Sequence, residues 1–123
     1  MSNIPLRVRE LFLKKGEDFE RVKREGRRSQ SPLFNLVFSS TQHFGSRFGV
    51  VVGRRFGNAV KRNRAKRIVR ELVRKVPKRW DQGYDCIVFP RRAMFGVPSS
   101  RREEEWFKIL ARERLIDCST GID

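Results

Sequence analysis

The stretch Gly49–Leu72, reading GVVVGRRFGNAVKRNRAKRIVREL, constrains this chain more than any other part. It opens as an apolar strand, turns at Gly57-Asn58 and enters a helix loaded with arginine and lysine. Asn58 suits the N-cap of that helix, because its side-chain oxygen can accept an orphan backbone N–H. From Arg54 to Arg70 there are eight basic residues and no acidic one. At about 100° per residue, Ala65, Ile68, Leu72 and Val76 fall on one stripe, while Asn63, Lys66, Arg67, Arg70 and Arg74 fall opposite. The spacing predicts a helix to about Val76, ahead of Pro77, with one face buried and the other turned outward. Like charges at i, i+3 and i+4 destabilise a helix, and Glu71 comes only at the end of the run. A bound polyanion would relieve them.

The whole chain carries the same bias. Its 123 residues suit one domain, and 29 Lys+Arg against 14 Asp+Glu give a net charge of +15. Such a field gathers polyanions: nucleic acid, an anionic membrane surface or an acidic protein. The membrane is disfavoured, since no apolar run approaches the roughly 20 residues needed to span a bilayer. The N-terminus lacks the apolar stretch and cleavage site of a signal peptide, so the chain is expected in the cytoplasm. Cys86 lies in an apolar run and reads as a core residue, and Cys118 sits in the C-terminal tail; two cysteines make no disulfide framework. The single histidine, His43, lies in a polar loop and is expected to be exposed. No nucleotide-binding glycine loop, nucleophile elbow or paired Cys-x-x-Cys is present, and no protein catalytic or metal site is expected. Nucleic acid is therefore the favoured partner. Arginine outnumbers lysine in the basic helix, and its fork pairs bidentately with phosphate and stacks on unpaired bases. That leans toward structured RNA. Asn63, amid the arginines, offers a donor and an acceptor to a base edge, a 2′-hydroxyl or a metal-bound water, or to a neighbouring side chain.

Elsewhere, Met1–Arg9 reads as an extended basic lead-in. Lys14–Glu25 reads as a helix, with Phe19 and Val22 on one face and Gly26 as a left-handed C-terminal cap. Arg27–Pro32 reads as a turn. Leu33–Ser39 and Arg47–Gly53 read as strands joined by a polar hairpin loop, which is most simply an antiparallel pair. In the first of them Phe34, Leu36 and Phe38 share one face, and Leu33, Asn35 and Val37 the other. Arg79–Gly83 is a turn, and Tyr84–Phe89 is a third strand. Ser99 or Ser100 caps a last helix, with Ser100 and Glu103 at capping-box spacing and Trp106, Ile109 and Leu110 facing inward. Asp117–Asp123 is a tail. The order helix-strand-strand-helix-strand-helix gives a single α+β domain over 1–123, with its core at about 11–115. If the strands around the basic helix are parallel, that crossover is right-handed by default.

The run Phe56–Arg67, FGNAVKRNRAKR, resembles the signature of the bacterial ribonuclease P protein subunit, whose hallmark is the Arg-Asn-Arg core at Arg62-Asn63-Arg64. Glu17–Val22 with Gly26 is similar to that family's first helix, and Asp85–Phe89 followed by Arg91 to its last strand. The resemblance implies an α/β sandwich with one small mixed sheet and a left-handed βαβ crossover at the basic helix, in place of the default hand. It implies an accessory subunit bound to the catalytic RNA of ribonuclease P, assisting removal of the 5′ leader from precursor tRNA. The RNA would perform the chemistry with Mg2+ that it mainly holds itself, and no obligate protein partner is implied. RNA-binding residues would be Arg54, Arg55, Arg62, Asn63, Arg64, Lys66, Arg67 and Arg70. A cleft between the first helix and the sheet would hold the leader at Phe19 and Lys23. Two departures stand out: Lys23 occupies a position where members often carry a second aromatic, and Val37 one where some carry tyrosine. Leader binding here is then expected to rest more on charge than on stacking. The competing readings are a ribosomal protein or RNA chaperone, which does not account for the full Phe56–Arg67 run; a protein-only nuclease, for which Asp18, Glu71, Asp81 and Asp85 are too scattered; and a helix-turn-helix DNA binder, which needs a partner helix ahead of the basic one.

Overall fold

The computed structural model describes residues 12–41, 46–76 and 83–116. Three helices, α1 (Gly16–Glu25), α2 (Ala59–Arg74) and α3 (Ser99–Arg112), pack on a sheet of four strands: β1 (Arg27–Gln30), β2 (Phe34–Thr41), β3 (Arg47–Val50) and β4 (Gly83–Pro90). Short 3-10 helices at Arg54–Phe56 and Arg92–Gly96 precede α2 and α3. The lead-in at Met1–Arg9, His43, the turn at Arg79–Gly83 up to residue 82, and the tail from Asp117 with Cys118 lie outside the described residues.

The strand order is β1-β2-β4-β3, with β3 and β4 parallel and the other neighbours antiparallel. This corrects the expected hairpin. β2 and β3 run in opposite directions but are not neighbours, because β4 lies between them. β4 is buried along most of its length, and its apolar run is satisfied by a central position with a strand on each side.

Arg27–Gln30 is a strand rather than a turn, pairing from Arg27↔Phe38 to Gln30↔Asn35. It has no apolar alternation to announce it. Only Ser29 is buried, and that side chain sits between Arg112, which donates to Ser29 Oγ at 2.6 Å, and Glu113, which accepts from it at 2.6 Å. The two arginines of this edge strand discourage pairing with another sheet.

Alternation in the strands divides the interior. Phe34, Leu36, Phe38, Phe48, Cys86 and Val88 face one side, where Ala65, Val69, Leu72 and Val73 of α2 and Trp106, Ile109 and Leu110 of α3 cover them. Val37 and Ile87 face the other side and pack with Leu13 and Val22. The indole of Trp106 meets Phe34 edge-on at 5.5 Å and donates Nε1–H to the Leu72 carbonyl at 3.1 Å. The Leu72 carbonyl, in the last turn of α2, also accepts from Lys75 N at 3.1 Å, and the bond from Trp106 ties α3 to α2.

The β3–α2–β4 crossover is left-handed. Val51, on the α1 side, sends its N–H to Val88 O at 3.0 Å, whereas Phe48, on the α2 side, sends its carbonyl the opposite way to Leu13 N at 2.8 Å. For L-residues this alternation puts β4 to the left of an upward β3 seen from α2. The default hand is overridden.

Local chemistry explains the ends of the helices. Asn58 is the N-cap of α2, its Oδ1 accepting from Lys61 N at 2.9 Å. Gly57 before it has φ 155°, a conformation L side chains rarely adopt. Gly26 is not a left-handed cap: its φ is −78° and ψ 161°. Glycine is needed there for close approach, since a Cβ would lie 2.5 Å from Val22 O and 2.8 Å from Val37 Cγ1. The expected capping box of α3 does not form either. Pro98 is the N-cap with no side-chain cap, Ser99 and Ser100 lie inside the helix, and Glu103 accepts from Lys75 Nζ at 2.7 Å instead. Arg102 secures the helix start by donating to the carbonyls of Met94 (3.0 Å) and Val97 (3.1 Å).

Candidate nucleic-acid interface

With its apolar stripe in the core, α2 turns Asn63, Arg67 and Arg70 outward, all exposed. Arg74 continues the row and is the one member paired on it, to Glu71 at 2.9 Å. Arg67 and Arg70 have no ion pair among the described residues. Arg54 and Arg55 are exposed on the 3-10 helix before α2, and Arg64 on its flank. Two predicted residues sit differently. Arg62 is half-buried beside the core, donating from Nη1 to Gly57 O at 2.7 Å, so it braces the turn into α2. Lys66 is half-buried on the same flank.

The connection before α3 adds to this surface. Arg92 donates to Arg55 O at 2.8 Å. The Arg64 guanidinium lies 5.4 Å from the centroid of Phe95, which meets Phe56 edge-on at 5.4 Å. Arg92 and Phe95 thus belong beside Arg55 and Arg64, a neighbourhood set by tertiary packing across 37 positions of sequence for Arg92 and Arg55.

The opposite side of the sheet is built otherwise. Strand register places Gln30, Asn35 and Phe89 in one row, and Val51 beside it through its bond to Val88 O. The next row is Arg28, Val37, Ile87 and Gly49. α1 covers this second row through Val22, and Phe19 rests on Gly49, where a Cβ would lie 2.6 Å from the ring Cζ. In the first row Asn35, Phe89 and Val51 are half-buried, and half-buried Phe19 packs on the same cluster, with exposed Lys23 one turn further along α1. Phe19 and Lys23, predicted together, do share this helix. Phe89, Val51 and Asn35 were missed, because only the strand order brings them beside it. The side-chain Oδ1 of Asn35 is buried with no hydrogen-bond partner.

A buried carboxylate fixes α1 over the sheet. Asp85 is fully buried and accepts from Arg47 at 2.9 Å (Nε to Oδ1) and 2.8 Å (Nη2 to Oδ2), and from Arg21 Nη2 at 2.5 Å. Asp18 adds ion pairs to Arg21 at 3.5 Å and Arg47 at 3.8 Å. The hydrogen bond to Asp85 raises the Arg21 pKa above its ordinary value, so Arg21 stays charged. Burial pushes the Cys86 thiol well up. Among the described residues no group of three or more His, Cys, Asp or Glu could hold a metal ion, and no helix is long and apolar enough to cross a membrane.

Fold and surfaces define the class first: a small α+β domain with a cationic helix face on one side of its sheet, where Arg67 and Arg70 have no ion pair among the described residues, and half-buried aromatic surface beside α1 on the other. The Ribonuclease P family model matches residues 8–114. The chain is 36% identical over 110 residues to the ribonuclease P protein component of Chloroflexus aurantiacus, covering 89% of this chain and 82% of that one. It is 37% identical over 106 residues to that of Thermotoga maritima, covering 86% of each. The solved RNase P protein from Thermotoga maritima superposes with a TM-score of 0.71 at 32% identity, covering 82% of this chain and 96% of that one. A Staphylococcus aureus RNase P protein mutant gives a TM-score of 0.72 at 24% identity, a likeness of fold. The chain belongs to the Ribonuclease P family.

Proposed function

We propose that this protein is the accessory RNA-binding subunit of the ribonuclease P endoribonuclease and acts in the cytoplasm on precursor tRNA. The observation that carries this reading is the outward row Asn63, Arg67 and Arg70 on α2, without acidic partners, inside the segment that carries the family signature. A phosphate backbone supplies the counter-charge this row lacks. Arg54, Arg55 and Arg64 extend the contact with the catalytic RNA, while Arg62 and Lys66 support it from the flank. Screening of phosphate repulsion by these groups stabilises the active RNA fold and lowers its need for diffuse magnesium.

The cleft under α1 takes the single-stranded 5′ leader, with Phe19 as wall and Lys23 for phosphate. Mature tRNA has no leader, so this contact separates substrate from product. The Mg2+ of the reaction is assigned mainly to the RNA, where it would supply the hydrolytic chemistry. The chain's own residues bind and orient.

The test is cleavage of 5′-labelled precursor tRNA at low magnesium with protein alone, matched ribonuclease P RNA alone, and both. Cleavage only with both, leaving a 5′-phosphate on mature tRNA, is expected. No stimulation by the protein would leave a general RNA chaperone, and cleavage by protein alone would place an active site on the chain.

A further inference from the structure

Arg62 and Arg64 are both held in place, and by different means. Arg62 donates to Gly57 O at 2.7 Å. Arg64 is exposed, and its guanidinium lies over the Phe95 ring, 5.4 Å from the centroid. Further along α2, Arg67 and Arg70 have no ring contact among the described residues. The ring is itself fixed. Phe95 belongs to the 3-10 helix Arg92–Gly96, and Phe56 of the core meets it edge-on at 5.4 Å. Met94 before it is fully buried, and Arg102 donates to the carbonyls of Met94 and Val97 on either side of it. Arg92 ties the start of the same turn to Arg55 O at 2.8 Å. The connection between β4 and α3 thus presents a ring, braced by the core, to a side chain of α2.

A ring and a carboxylate order an arginine differently. A carboxylate neutralises the charge it holds, as Glu71 does for Arg74. An aromatic face attracts the guanidinium through its quadrupole and leaves the net charge for an outside phosphate. A long side chain that is already ordered gives up less rotamer freedom when it binds. Arg64 therefore keeps its attraction for RNA and loses less entropy on engaging it.

We propose that Phe95 is a positioning residue for the contact with catalytic RNA: it pre-orders Arg64 without touching the RNA itself. The proposal rests on the reading of α2 as the RNA face and adds to it a residue outside the signature segment.

The experiment is a double-mutant cycle on the affinity of the full chain for matched ribonuclease P RNA, with Phe95→Leu, Arg64→Ala and the pair. Phe95→Leu should weaken binding about two- to fivefold, the range of one exposed cation–π contact, and should cause no further loss once Arg64 is alanine. Its salt slope should match the wild type, since no charge is removed, whereas Arg64→Ala should lower the slope by roughly 0.7–0.9. Phe95→Tyr should restore the affinity. Lost packing against Phe56 would weaken binding in both backgrounds, so the cycle separates positioning from misfolding. An equal loss from Phe95→Leu in both backgrounds, or no loss in either, overturns the proposal. So does an Arg64→Ala variant that binds like wild type while Arg67→Ala and Arg70→Ala bind more weakly. If all three arginine variants keep wild-type affinity and slope, the reading of α2 as the RNA face fails and takes the proposal with it.

Discussion

Replacing Asp85 by asparagine tests whether an internal ion network holds the cleft in shape. Asp85 is fully buried, while the side chains of Arg21 and Arg47 keep 29% and 25% of their exposure. Asparagine preserves size and removes the charge that satisfies both guanidiniums. Breaking a buried pair by removing one partner costs about 3–5 kcal/mol. The arginines can recover some hydration through their exposed quarter, so the lower end, about 3 kcal/mol, is expected. For a domain of this size that corresponds to a fall in Tm of roughly 10–15 °C. Glu71→Gln is the control: its pair with Arg74 is exposed on both sides, and such pairs contribute about 0–1 kcal/mol.

The two variants should also differ in binding. Asp85 bonds α1 to β3, and Phe19 rides on α1. At a temperature well below both melting points, Asp85→Asn should therefore weaken affinity for precursor tRNA with a leader and leave affinity for catalytic RNA nearly unchanged. Circular-dichroism melts and filter binding measure the two quantities. A Tm within about 2 °C of wild type would refute the reasoning, since a buried charge with two guanidinium partners cannot be lost so cheaply. The effect should be the same at pH 6 and pH 9. Arg21 has a raised folded-state pKa, so its contribution is fully present below its ordinary value, far above this window, and is lost only as pH rises through the folded one.

Gly57→Ala forces a side chain into φ 155° and brings a Cβ to 3.0 Å from Lys61 Cδ; a loss of about 1–3 kcal/mol is expected in denaturant unfolding. Arg67→Ala and Arg70→Ala should each reduce the slope of log affinity against log salt by roughly 0.7–0.9 for catalytic RNA, with Tm nearly unchanged because both are exposed and unpaired among the described residues; an unchanged slope would move the RNA contact off this face. Cys86, buried and with its thiol pushed well up, should resist iodoacetamide at pH 8 in a Cys118→Ser background and react once the protein is unfolded.

Much of the α2 side was legible in the sequence because its determinants are local. The Asn58 cap, the 3.6-residue apolar period and the one-signed charge all fall within a single segment, and each predicts the same helix face. The α1 side was not. β1 carries no apolar alternation, since its one buried residue is a serine held by Arg112 and Glu113 from far along the chain. Without β1, and with β4 unplaced between β2 and β3, nothing in the sequence sets Asn35 beside Phe89. Helix ends failed where side chains found distant partners: Glu103 is taken by Lys75 rather than by a cap, and Gly26 serves the fit against β2 rather than a left-handed turn.

The sheet lets one small domain carry two unlike surfaces. Its alternation sends separate apolar clusters to opposite sides, so α2 and α1 are anchored by different residues. On the α2 side Arg67 and Arg70 have no carboxylate partner among the described residues, and Arg74 alone of that row is paired, to Glu71. On the α1 side Arg21 and Arg47 are spent inward on Asp85, and what remains at the cleft floor is aromatic and amide surface. Charge that is neutralised internally adds little to affinity for phosphate, whereas the unpaired row on α2 retains its full field. The division of ion pairs between the two sides thus separates them electrostatically: Arg67 and Arg70 on α2 keep their charge for an outside counter-ion, while Arg21 and Arg47 on the α1 side are neutralised within the fold.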